Sequence, residues 1–363
     1  MLQDNQIMLL QFMAQYPCLD YQSCLRKLDM FQTGDMVAMS YAFRPLTKNG
    51  YLCKGKDGIV TLGAKGRQVM SDIQPLVTVG GTTKERVAQV SRMALMLQDE
   101  AGIYSYGEIQ KDEKRYFIPS ACWRRIGFGI LSTTRFLGML MLDGKRYAIY
   151  DIGDGHMEWQ MRAESSLFYI TFEEFRSEIN TRANGMIFVC NDDARTAAAD
   201  NIIRQTMWSR KQLLKEHYAQ RDKPTRWSHS PIKLRRQYEH VYLTTPSMLK
   251  EDLECIADED AMMKCHAKNY KNRISDPALG DYEDWPTRCF DNYTTDLLKY
   301  VYFLAQVRDD IQREKDEYMT QLTYELIFRK KDRPILRIYR DMLHSVDWVK
   351  LYVYNSPKNT DSD

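Results

Sequence analysis

The sequence predicts a chain of the α+β and α/β classes, with a small N-terminal helical unit that ends in a β-hairpin and a larger mixed-sheet α/β domain behind it. Three observations predict this. Helix-period apolar segments with Asp residues at their starts fill the first 50 residues. An Asp-Gly turn between two short apolar runs follows at residues 51–62, which is a strong hairpin signal. Beyond residue 130, short apolar runs lead into Asp, Asn or Thr caps and then into helical patterns, the alternation that builds a parallel sheet.

The elements follow in order. From Gln6 to Tyr16, Ile7, Leu10, Phe12 and Met13 fall near helical spacing, and Pro17 ends the run. Asp20 is placed to cap a short helix carrying Tyr21, Cys24, Leu25 and Leu28. After a break at Gln32-Thr33-Gly34, Asp35 stands at the N-cap of a third helix, in which Val37, Met39, Ala42, Phe43 and Leu46 follow. Gly50 closes that helix with a left-handed residue. Tyr51-Leu52-Cys53 and Ile59-Val60-Thr61-Leu62 are the hairpin strands, and a helix with Val69 and Met70 follows. Pro75 to Thr83 is a linker, with Thr82 or Thr83 capping a helix over Lys84 to Glu100. That helix places Val87, Val90, Met93, Ala94 and Leu97 on one face, stops at Gly102, and packs on the N-terminal unit or pairs with a second copy.

Arg135–Leu142 and Arg146–Ile152 are strands joined by Asp143-Gly144. Met186–Cys190 is a buried strand followed by Asn191-Asp192-Asp193 and a helix from Ala194 to about His217. Val241–Leu243 repeats the unit, with a helix from near Ser247. Tyr300–Met319 is helical, and Leu322–Phe328 continues it or turns into a strand. Ile335–Tyr339 and Trp348–Tyr354 are strands around a helix at Arg340–Val346, a β-α-β unit expected to complete the central sheet. The expected boundaries are 1–75, 76–102 for the linker and connecting helix, 103–355 for the α/β domain, and a disordered tail over 356–363.

Composition narrows the function. The 363 residues are 44% hydrophobic and 28% charged with net charge +2, as in an ordinary globular chain, so a polyanion site needs local clustering of charge. The eight cysteines include no CxxC pair, which points to buried thiols in a reducing compartment; Cys265-His266 lacks a second ligand pair. No stretch reaches the length and apolarity of a membrane span, and the start carries no signal-peptide pattern, so a cytoplasmic protein without a membrane partner is expected. P-loop and GxSxG motifs are absent. Six scattered histidines give no metal cluster for a tyrosine relaxase.

The helix, helix, turn, helix, hairpin, helix order is that of a winged helix-turn-helix, and the strip RPLTKNGYLCKGKDGIVTLGAKGRQVM resembles the matching strip of such domains. From Arg44 to Arg67 there are six basic residues against the single acid Asp57. They fall where phosphates lie when a third helix enters a major groove. Ser40, Tyr41 and Arg44 are candidates for base-edge contact; Lys48, Lys54, Lys56, Lys65 and Arg67 complete the DNA-facing set. Residues 204–236 hold ten Lys/Arg against two acids, with Trp208 and Trp227 interleaved. They track a nucleic-acid backbone or form a solvated loop bracketed by Pro224 and Pro231. The block 251–260, six acids in ten positions, reads as the solvent face of a helix.

A restriction-endonuclease-like site needs an Asp and a Glu-x-Lys around a divalent ion. Asp151, Asp154 and Glu158 lie close in sequence, but Gln160 occupies the place of the lysine, with Glu164 and Arg162 as distant substitutes. Asp151 and Glu158 are thus the catalytic candidates of a degenerate nuclease-like fold, with Mg²⁺ its only implied cofactor. The whole arrangement, together with the strip RFLGMLMLDGKRYAIYDIGDGHMEW, resembles the replication-relaxation family of plasmids and integrative mobile elements. That resemblance implies a DNA-binding protein acting in replication, conjugative transfer or transcriptional regulation. Its expected partners are double-stranded DNA and, as an open option, a second copy of the chain. Two alternatives stand beside it, a divalent-metal nuclease and a module whose winged helix binds protein.

Overall fold

A computed structural model describes residues 2–29, 34–77, 83–105, 114–125, 136–154, 184–206, 240–257, 287–291, 294–297, 300, 323–338 and 349–354. The protein is mixed α and β. Its strands form an N-terminal three-stranded sheet, a five-stranded mixed sheet and a second three-stranded sheet nearer the C-terminus. The chain divides into two compact units, Met1–Gly144 and Lys145–Asp363.

The first unit begins with α1 (Asp4–Gln15). The Gln3 backbone N–H donates to Gln6 Oε1 at 3.0 Å, and the Gln6 amide donates to Ala42 O at 2.8 Å. One buried carboxamide thus caps its own helix and ties it to a later one, which offsets the cost of burying a polar group. Strand β1 (Cys18–Asp20) comes next, then α2 (Tyr21–Leu28), whose N-cap Asp20 accepts from the Ser23 N–H at 2.9 Å. Asp35 caps α3 (Met36–Lys48) by accepting from the N–H groups of Val37 and Ala38, both at 3.0 Å. Gly50, at φ +74, reverses the chain so that Tyr51 N–H reaches Leu46 O at 2.9 Å; the left-handed conformation suits glycine.

Strands β2 (Leu52–Lys54) and β3 (Ile59–Leu62) form the hairpin, with Lys54 opposite Val60. The far edge of β3 pairs with β1, Leu19 opposite Val60. The sequence pattern did not show β1, because three residues after a proline carry no readable alternation. Helix α4 (Ala64–Val69) packs closely on the hairpin base. A Cβ on Gly66 would stand 2.2 Å from Tyr51 O, so only glycine permits that approach.

Helix α5 (Lys84–Ala101) starts at Thr83, whose Oγ1 accepts from the Arg86 N–H, and stops at Gly102 with φ +66. All five predicted core positions are buried, and Ala88, Ser91 and Leu95 on its other sides are buried too. Lys27 of α2 reaches Asp99 at 3.2 Å. The helix is therefore an internal spine of its unit. Strand β4 (Arg115–Pro119), which the sequence reading missed, and helix α6 (Ser120–Arg125) come next. Antiparallel to β4 is β5 (Gly138–Leu142), with Phe117 opposite Leu140. Asp143 and Gly144, at φ +49 and +84, make the predicted tight turn.

The second unit holds β6 (Lys145–Gly153), β7 (Gly185–Cys190) and β8 (His240–Thr244). They run parallel, with Ile149 opposite Ile187 and Ile187 opposite Tyr242. Every residue of β7 is buried, as expected of a parallel strand covered on both faces. After β7 a short 3₁₀ turn leads into α7 (Arg195–Thr206), and after β8 another leads into α8 (Leu249–Ala257). The order strand, polar turn, helix is the one the pattern predicted, but neither Asn191 nor Thr245 makes a side-chain cap hydrogen bond.

The C-terminal expectations need two corrections. Residues 333–338 form a helix, α9 (Arg333–Ile338), where Ile335–Tyr339 was expected to be a strand. A short apolar run does not distinguish the two by itself, and Pro334 fits a first helical turn, where a missing N–H costs nothing. The β-α-β unit exists, but its strands are β10 (Thr323–Arg329) and β11 (Val349–Tyr354). With β9 (Thr287–Asp291) they make a separate parallel sheet, and do not extend the central one.

Among the described residues, no helix is long and apolar enough to cross a membrane. Cys18, Cys24, Cys190 and Cys255 are buried free thiols. Burial pushes the Cys190 thiol up to about 12, and raises Cys18 and Cys24, so these sulfurs stay protonated and inert.

Candidate functional site

Helix α3 presents two unlike sides. Phe43 (4% exposed) and Leu46 (0%) face the core. Val37 is 66% exposed and heads an outward stripe with Tyr41 (61%), Arg44 and Lys48. The helical period brings these four residues onto one side. Lys54, Lys56, Lys65 and Arg67 are also exposed.

Tyr21, at the start of α2, joins the helix to the hairpin. Its ring meets Phe43 edge-on at 5.0 Å. The Lys54 ammonium sits 3.5 Å from the ring centroid, and the phenol oxygen lies 3.4 Å from Ser40 Oγ. A lysine of the hairpin and a serine of α3 are thus held by one aromatic ring. The sequence pattern places Tyr21 with Cys24, Leu25 and Leu28 on one side of α2; the amphipathic character of tyrosine is the signal for its second role. Ser40 is half-buried and turned to Tyr21.

Three further cations meet aromatic or backbone partners. Arg44 stacks on Tyr41 at 4.8 Å and Lys65 lies over Tyr51 at 4.6 Å. Arg67 donates to Leu62 O at 2.8 Å. The only acid of the segment, Asp57, accepts from the Ile59 N–H at 3.0 Å, so its charge serves the turn.

In the second unit, the carboxyl ends of the parallel strands gather polar groups, as such ends do in α/β sheets. Asp151 Oδ1 accepts from the Gly153 N–H at 3.0 Å, and Asp154 accepts from the Asn191 amide at 2.7 Å. Asp192 accepts from Thr245 Oγ1 at 2.7 Å and from the Ser247 hydroxyl. Among the described residues no three His, Cys, Asp or Glu side chains are placed to hold a metal ion. Glu158, Gln160, Arg162, Glu164, the Cys265-His266 pair and the side chains of the basic run 204–236 lie outside the described residues.

Behind these ends lies a buried charged network. Arg195 Nε donates to Asp332 at 2.7 Å, and its Nη2 donates to Thr295 at 2.5 Å. Arg329 pairs with Asp252 and stands 3.4 Å from Glu251. Asp252 is only 1% exposed, which corrects the expectation that residues 251–260 are all solvent face. Burial pushes the Asp252 carboxyl above its ordinary 3.8, while Arg329, Arg195 and the 2.6 Å hydrogen bond from Thr244 pull it back. A carboxyl raised on folding binds its proton more tightly in the native state. Its contribution to stability is therefore complete below the unfolded value and lost as pH rises through the folded one. Denaturant melts should show the stability of wild type relative to Asp252→Asn declining as pH climbs above about 4. A relative stability that rises over that range would contradict this account.

Compared with protein-family models, with curated proteins and with solved structures, the chain shows no match.

Proposed function

We propose that residues 1–75 work as a winged helix-turn-helix and that the chain is a double-stranded-DNA-binding protein. In this reading α3 is the recognition helix, β2–β3 is the wing, and α2 supports both. The observation that carries it is the Tyr21 cluster. Because one ring contacts Ser40 on α3 and Lys54 on the hairpin, the outward stripe of α3 and the wing cations belong to one surface. A recognition helix in a major groove with its wing on the flanking backbone requires that juxtaposition. The resemblance to the replication-relaxation family extends the proposal to a role in replication, transfer or regulation of a mobile element.

The test is a fluorescence-anisotropy titration with duplex DNA at several salt concentrations. Lysines that neutralise phosphates release counterions, and affinity falls with salt in proportion to their number. The Lys54→Ala/Lys56→Ala double variant should bind more weakly, with a log–log salt slope shallower by about 2. If wild type shows no salt-sensitive binding even at low salt, the exposed Val37 and Tyr41 become the basis for a protein partner instead. Mg²⁺ in the same titration, followed on a gel, reads out any cleavage.

A further inference from the structure

We propose that Arg44 reads a guanine through the major groove and that Tyr41 is its positioning residue, an inference that rests on the DNA-binding reading above. The two residues are one helical turn apart on the outward side of α3. Tyr41 is 61% exposed, Arg44 is exposed, and the core contacts of this helix are made by Phe43 and Leu46. Neither outward side chain is needed to hold the helix in place.

The guanidinium carbon of Arg44 lies 4.8 Å from the centroid of the Tyr41 ring. A planar guanidinium in contact with a ring spends its face on the aromatic surface and keeps its N–H donors at the edge. Such a fork matches two acceptors side by side, and it carries no acceptor of its own. On the major-groove edge, guanine offers two acceptors, O6 and N7, whereas adenine places an amino donor beside N7. The chemistry therefore selects guanine. Stacking restricts the arginine before binding, so less freedom is lost when the fork engages.

The other basic groups of the surface fit a different task. Lys48, Lys54, Lys56 and Lys65 end in compact ammonium groups suited to phosphates as point charges. Arg67, the only other arginine between residues 44 and 67, donates to Leu62 O at 2.8 Å and is committed to the end of β3. Arg44 is the guanidinium that α3 itself carries outward, next to the exposed apolar surface of Val37 and Tyr41, where base edges and not phosphates are the natural contact.

The experiment selects duplexes from a pool with a randomised central window, using the full chain, and then measures affinity for the selected duplex and for an unselected one. The ratio of the two affinities is the readout, so any effect common to both duplexes cancels. Wild type is expected to select a fixed guanine and to lose discrimination when 7-deazaguanine, which lacks the N7 acceptor, replaces it. Arg44→Met, which keeps the aliphatic stem but has no donor, should lower the ratio roughly 5- to 150-fold, the value of one bidentate base contact, and become indifferent to 7-deazaguanine. Tyr41→Leu should lower it in the same direction, and Tyr41→Phe should restore it by returning the ring. Thermal melts confirm that the variants are folded. Salt-sensitive binding without a fixed guanine, or an Arg44→Met ratio equal to that of wild type, overturns the assignment and leaves the DNA-binding reading standing. Absence of salt-sensitive binding by wild type overturns both.

Discussion

Asp332→Ala is expected to destabilise the protein by about 3–5 kcal/mol, because it leaves a buried guanidinium without its counter-charge. Arg195 is 5% exposed and Asp332 4%. The carboxylate accepts from Arg195 Nε at 2.7 Å and from Thr295 Oγ1 at 2.6 Å. Arg195 also donates to Leu243 O at 3.2 Å. Thr295 holds φ at +50, a conformation a branched residue adopts at a cost, and its two hydrogen bonds to the pair fix it there. Deleting one partner is far worse than deleting both. The double change Arg195→Met/Asp332→Leu should recover most of the loss, since apolar replacement of a buried pair is often neutral or stabilising. Urea melts of the two single variants and the double variant give the coupling directly. Additive single effects would mean that the pair does not act as a unit.

Leu46→Ala is expected to cost about 2–5 kcal/mol, the range for truncating a fully buried leucine, and, on the proposed DNA-binding reading, to weaken duplex affinity in the same variant. Leu46 is 0% exposed on the inward side of α3, and its carbonyl accepts the Tyr51 N–H that turns the chain into the hairpin. Truncating the side chain removes packing under α3, the helix that carries Tyr41 and Arg44. Val37→Ala, at a position 66% exposed, should change stability by less than about 0.5 kcal/mol. Urea midpoints for the two variants make the comparison, with duplex affinity measured on the same samples. Equal small losses at both positions would show that α3 is not anchored through this face.

Much of the first unit was legible because its signals are local. Asp20, Asp35 and Thr83 cap helices within three residues of themselves. Gly50, Gly102 and the Asp143-Gly144 turn take the positive φ that their neighbours' pattern demanded. In the second unit the buried strand at 185–190, with a polar turn and a helix behind it, was legible because the apolar run and the turn residues are contiguous.

What the sequence could not supply depends on partners far along the chain. Strand β1 exists because β3, some forty residues later, offers it a ladder with Cys18 opposite Thr61. Asp252 is buried because Arg329, 77 residues away, reaches it. The acidic run around it gives no hint, since one carboxylate of a polar block is indistinguishable from the rest until a counter-charge approaches. The last β-α-β unit was recognised as a motif, yet its sheet was assigned wrongly, because strand-to-strand pairing is set by side-chain packing and not by the strand's own residues. The candidate site divides the same way. The basic residues and the exposed tyrosine were readable one by one. The contacts of Tyr21 with Lys54 and Ser40, and the placement of Arg44 over Tyr41, were not. By itself the sequence determined the helices, turns and charges, whose energies are settled within a few residues. Tertiary structure alone decided which strands pair, which charges are buried and which cations share a face, because those energies arise between groups that the chain brings together only on folding.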